Sequence, residues 1–96
     1  MRDQQLVGFE LSISGRDDGT IEAVYVQLLN EPVARTRELQ QDTLIADYTA
    51  DGRLVGFEVL APVKISELTA LIHERKRSEA LDRFVRSSVP AEMVCA

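Results

Sequence analysis

From Val7 the chain alternates strictly, with Val7, Phe9, Leu11 and Ile13 on one side and Gly8, Glu10, Ser12 and Ser14 on the other. A period of two marks a strand with one buried face. Gly15-Arg16-Asp17-Asp18-Gly19 follows, rich in residues that tolerate positive φ, and predicts a hairpin loop. Thr20 to Leu29 is a second predicted strand. It is largely apolar on both sides, Ile21, Ala23 and Tyr25 against Val24, Val26 and Leu28, which suggests a central strand covered on two faces. Asn30-Glu31-Pro32 turns the chain. Val33 to Leu39, with Arg35 and Arg37 on one side, has the short, charged character of an edge strand. Thr43 to Thr49 and Arg53 to Leu60 are the last two predicted strands. Ala50-Asp51-Gly52 between them is a strong hairpin signal.

After Pro62 the period changes. Ser66 can cap a helix whose apolar stripe is Ile65, Leu68, Leu71 and Ile72. A second stripe, Leu81, Phe84 and Val85, would lie roughly opposite the first on an unbroken helix from 65 to 88. Two arrangements satisfy this. Either the helix breaks near Glu74-Arg75-Lys76-Arg77-Ser78, with Ser78 capping a new one, or one long helix packs one end on its own sheet and the other on a partner. Pro90 ends the segment. The pentapeptide Leu6-Val7-Gly8-Phe9-Glu10 recurs as Leu54-Val55-Gly56-Phe57-Glu58. The flanking turns and strands differ in order, so we read two strands meeting similar packing demands.

These patterns predict an α+β fold: an antiparallel sheet of four or five strands, largely a meander, with C-terminal helices on one face. The 96 residues form one domain, with a sheet over residues 1–61 and a helical extension over 62–96. The core is expected from Val7, Phe9, Leu11, Ile13, Val24, Val26, Leu28, Val55, Phe57 and Val59, capped by Leu68, Leu71 and Ile72.

Composition adds mainly exclusions. Apolar residues at 45% and charged residues at 28% are ordinary for a globular domain. No apolar run approaches the ~18 residues that cross a bilayer, and the N-terminus lacks the apolar stretch of a secretory signal. A single cysteine cannot make an internal disulfide, so a cytoplasmic location is expected. Residues 1–60 hold five Arg against eleven Asp and Glu, and residues 61–96 are nearly balanced. Such an acidic body is unsuited to nucleic acid.

Candidate chemistry is sparse. Asp47, Thr49, Asp51, Gly52 and Glu58 nearly match a calcium-loop spacing, but that loop joins two helices. Here alternation on both flanks puts Asp47 and Glu58 on paired strands instead. His73 reads as a solvated surface histidine, and Cys95 as an incidental thiol near the C-terminus. The Arg75-Lys76-Arg77, Arg83 and Arg86 cluster is interleaved with Glu79 and Asp82, as on a salt-laced exposed face. No phosphate loop, nucleophile elbow or zinc-protease motif occurs. No catalytic residue, metal or cofactor is expected.

Residues 23–60 resemble a family of small bacterial proteins, domain of unknown function 2283. The likeness runs through Ala23-Val24-Tyr25-Val26-Gln27-Leu28, Val33-Ala34-Arg35-Thr36-Arg37-Glu38, Leu44-Ile45-Ala46-Asp47-Tyr48 and, most closely, Asp51 to Leu60. The first hairpin loop and the longer segment beyond Ala61 depart from the family's pattern. The resemblance implies a compact antiparallel sheet without an assigned activity. Relatives thought to sit beside toxin-like genes suggest partner binding. The function expected is therefore a non-enzymatic interaction module that self-associates as a homodimer through Leu81, Phe84 and Val85. The alternative is an antitoxin-like acidic partner of a basic effector protein.

Overall fold

The computed structural model describes residues 8–96. Five strands, β1 (Glu10–Gly15), β2 (Ile21–Gln27), β3 (Arg35–Gln40), β4 (Leu44–Tyr48) and β5 (Leu54–Val59), are followed by a short β6 (Val63–Lys64). Helices α1 (Ile65–Thr69) and α2 (Arg75–Ser88), a 3₁₀ turn at Ala91–Met93 and β7 (Val94–Cys95) complete the chain. The main sheet is antiparallel throughout, in the order β1-β2-β5-β4-β3. The sheet is largely a meander, as expected, and is interrupted once. A β1-β2 hairpin and a β3-β4-β5 meander are joined so that apolar β5 lies beside β2, while charged β3 takes the far edge.

Turn chemistry fixes the hairpins. Gly19 and Gly52 adopt φ of 88° and 91°, which residues with a Cβ rarely adopt, and they close the β1-β2 and β4-β5 hairpin loops. At the second loop, the Thr49 N–H donates to the Arg53 carbonyl at 2.8 Å, and the Gly52 N–H to the Thr49 carbonyl at 3.0 Å. Glu10, the last residue of the first copy of the repeated pentapeptide, and Gly56 of the second each stand opposite Gln27 of β2. The glycines differ: nothing lies within 4 Å of a Cβ built on Gly8, whereas Gly56 is tightly hemmed in.

Val24, Val26 and Leu28 of the β2 segment, Val55, Phe57 and Val59 of β5, and Leu44 and Ala46 of β4 are all buried. Alternation puts the partners Val24/Val59/Leu44 and Val26/Phe57/Ala46 on one face, beneath the helices. Among the described residues, β2 is thus an inner strand covered by a second layer on one face only. Its other side carries Ala23, Tyr25 and Gln27. Phe9 and Leu11 pack on the core as partly buried residues, while Ile13 remains 49% exposed at the β1 edge. Val7 lies outside the described residues.

The helical segment breaks across residues 70–74. Ser66 is not the cap: α1 begins at Ile65, and Glu67 accepts the Lys64 N–H at 3.2 Å. Nor does Ser78 cap α2, which starts three residues earlier. Its hydroxyl donates to the Thr69 carbonyl at 3.0 Å and ties the two helices together. The break brings both stripes to the same sheet. Leu68, Leu81 and Val85 are each 0% exposed, and Leu71 and Ile72 pack partly against them. Burying two large side chains, about 1.5–3 kcal/mol each, outweighs a few helical hydrogen bonds lost at the break. The tail is also ordered: Met93 enters the core, and β7 pairs in parallel with β6.

Candidate functional site

Three surface features emerge: the exposed edge strand β1, the helix-free face of the sheet, and a cavity beside the α1-α2 junction. The expected interface does not survive intact among them. Leu81 and Val85 are wholly enclosed by their own chain, because the break at residues 70–74 re-phases the second stripe onto the core. Neither side chain is available to a second subunit. Phe84 alone stays partly accessible, at the margin of the core with Phe9, their ring centroids 5.3 Å apart and tilted by 43°.

The two sheet edges differ in chemistry. The β3 sequence Arg35-Thr36-Arg37-Glu38 presents three charges, a common guard against pairing with another strand. In β1, Leu11-Ser12-Ile13-Ser14-Gly15 carries no charge, and only Glu10 at its start does. Among the described residues β1 has a partner strand on one side only.

On the helix-free face, the strand registers place Glu10, Glu38, Asp47 and Glu58 together with Ser12, Ser14, Tyr25, Gln27, Thr36 and Ile45. No Lys or Arg shares this face among the described strands. The Tyr25 hydroxyl donates to Asp47 Oδ2 at 2.9 Å, and Thr36 donates to Asp47 Oδ1 at 2.7 Å. Burial, then the neighbouring Asp47 and Glu58 carboxylates, push the Tyr25 phenol up to about 12. Asp51 is bound up at the turn by the Thr49 hydroxyl and by Arg53, which hold its carboxyl below its ordinary value. The calcium-like spacing is therefore laid out along a hairpin, with Asp47 and Glu58 on paired strands and Asp51 at its tip. Among the described residues no group of three His, Cys, Asp or Glu gathers as a metal site.

The cavity encloses about 700 Å³ between the sheet end and the α1-α2 connection, and is open to solvent. Leu28, Leu29, Leu54, Leu71 and Ile72 give it apolar walls, and His73, Glu74, Arg53 and Arg77 give it polar groups. The basic cluster divides here. Arg75 and Arg86 pair with Glu79 and Asp82 at 3.4 and 3.0 Å, the salt-laced pattern expected. Arg77 instead turns inward, and its Nη2 donates to the Leu28 carbonyl at 2.7 Å. Its position was concealed by the charge run, although its spacing from Leu81 and Val85 marks the buried stripe. His73 and Cys95 are both exposed.

Fold and surface define a small α+β domain: a five-stranded antiparallel sheet under one helical layer. Residues 18–61 match the family described as "Protein of unknown function (DUF2283)", in agreement with the resemblance read from the sequence. The matched segment contains β2 to β5, while β1, α1 and α2 lie outside it. No curated protein and no solved structure matches the chain. No helix among the described residues is long and apolar enough to cross a membrane.

Proposed function

We propose that the chain is a non-enzymatic, cytoplasmic interaction module that works as a homodimer, with β1 as the strand through which two copies meet. The observation that carries this reading is the β1 edge, uncharged from Leu11 to Gly15, where Ile13 stands 49% exposed. An antiparallel β1-β1 pairing about a two-fold axis satisfies the outward backbone groups of both copies. It also covers Ile13, and Phe84 keeps a place at the rim of the expected interface. Charged β3 disfavours the same pairing at the opposite edge. The reading without catalysis is supported by the scatter of the candidate groups, with His73 in the α1-α2 connection, Cys95 on β7, and Asp47 and Asp51 already hydrogen-bonded.

Light scattering after size exclusion tests the reading. We expect a mass twice the 10.7 kDa of one chain, falling to one chain in Ile13→Lys with the fold retained. A single-chain mass for the wild type at tens of micromolar contradicts it. A second reading is favoured by the four carboxylates on the helix-free face: an antitoxin-like module that covers a basic effector. It predicts a basic partner released by salt and by Glu38→Lys with Glu58→Lys. Retention of the partner through both treatments would remove this reading.

A further inference from the structure

We infer that the cavity at the α1-α2 junction binds a small apolar monocarboxylate, with Arg77 as the anion-binding group. Its volume of about 700 Å³ and its mixture of apolar walls with few polar groups are those of a small-molecule site. Arg77 is the member that a purely structural role explains least. Its Nη2 is spent on the Leu28 carbonyl, and its Nε is buried without any acceptor. Of the two arginines lining the cavity, Arg53 is ion-paired and Arg77, among the described residues, is not. A guanidinium withdrawn from water ordinarily regains its solvation from a carboxylate. Here the chain supplies a neutral carbonyl instead, and leaves one positive charge beside a cavity.

The surrounding charges set the ligand class. Arg53 is already engaged by Glu31 at 3.1 Å and Asp51 at 3.0 Å, and Glu74 adds a negative charge at the cavity wall. His73, also on the wall, is exposed to solvent. One unmatched cation next to a resident carboxylate suits a single negative charge and opposes a dianion such as phosphate. A planar carboxylate fits the guanidinium geometry, and Leu28, Leu54, Leu71 and Ile72 receive an apolar body.

The test is an amide NMR titration of the full chain with phenylpropanoate and, separately, with its uncharged analogue phenylpropanamide. We expect the acid to bind about tenfold more tightly than the amide, with shifts centred on Leu28, Leu71, Ile72 and Arg77. Arg77→Gln should erase that preference, and Arg77→Lys should retain part of it. Because Arg77 also anchors Leu28, the comparison of the two ligands on the wild-type chain stands without either variant. Equal affinities for acid and amide, shifts centred elsewhere, or no binding of the acid at millimolar concentration would overturn the inference.

Discussion

Replacing Gly56 with alanine probes the covering of the helix-free face. Gly56 lies mid-sheet between Gln27 of β2 and Asp47 of β4. Its requirement for glycine is spatial, since it is not among the positive-φ residues. A Cβ there would press on the Tyr25 hydroxyl, and would meet the Val26 carbonyl oxygen at 2.6 Å and Tyr25 Cζ at 2.7 Å. The ring therefore lies across Gly56 and reaches Asp47, two strands away from its own. Overpacking costs about 1–3 kcal/mol. Displacing the phenol from Asp47 adds about 1–2 kcal/mol for a half-buried hydrogen bond to a carboxylate. The alanine recovers about 0.4–1 kcal/mol through the unfolded chain. We expect a net loss of about 1–4.5 kcal/mol in urea unfolding, with the slope of the transition unchanged. In a Tyr25→Ala background the cost should shrink but persist, because the Val26 carbonyl is backbone and yields little. The reasoning is refuted if Gly56→Ala unfolds within about 0.5 kcal/mol of the wild type, or costs the same with and without the ring.

Leu81→Ala should cost about 2–5 kcal/mol in chemical unfolding while leaving the mass of the folded protein unchanged, because Leu81 is enclosed within one chain. A fully stable but dissociated Leu81→Ala protein would return this residue to the interface. The folded Tyr25 phenol, pushed up to about 12, keeps its proton over a range where the unfolded phenol, ordinarily at 10.0, gives it up. Its contribution is thus complete below pH 10 and is lost as pH rises through 12. The unfolding free energies of wild type and Tyr25→Phe should converge across that window, and parallel curves would contradict the assignment.

The legibility of this fold followed from what each signal encodes. Alternation located β1, β2, β4 and β5, and Asp51-Gly52 located the last hairpin, because these depend on neighbours in sequence. The placement of β5 beside β2 is a long-range choice that period alone does not contain. Residues 81–85 show the same limit. Their phase against Leu68 and Leu71 demanded either a break or a partner, and α2 resolved it by breaking, since the chain's own sheet had room for both stripes. Parity assigns Ile13 to the core, yet parity does not report how far the helical layer extends over an edge strand. Arg77 was concealed within Arg75-Lys76-Arg77, although its four-residue spacing to Leu81 carried the signal. Gly56 had no visible reason to be glycine until Tyr25 was seen to cross it.

The central claim, that a second copy covers β1, is tested most directly by hydrogen exchange of the amides in residues 10–15 over a dilution series. The account predicts that their protection rises with protein concentration, in step with the fraction of doubled mass, while the amides of β3 stay unaffected. Protection of β1 that is the same at every concentration, or a concentration dependence confined to β3, would contradict it.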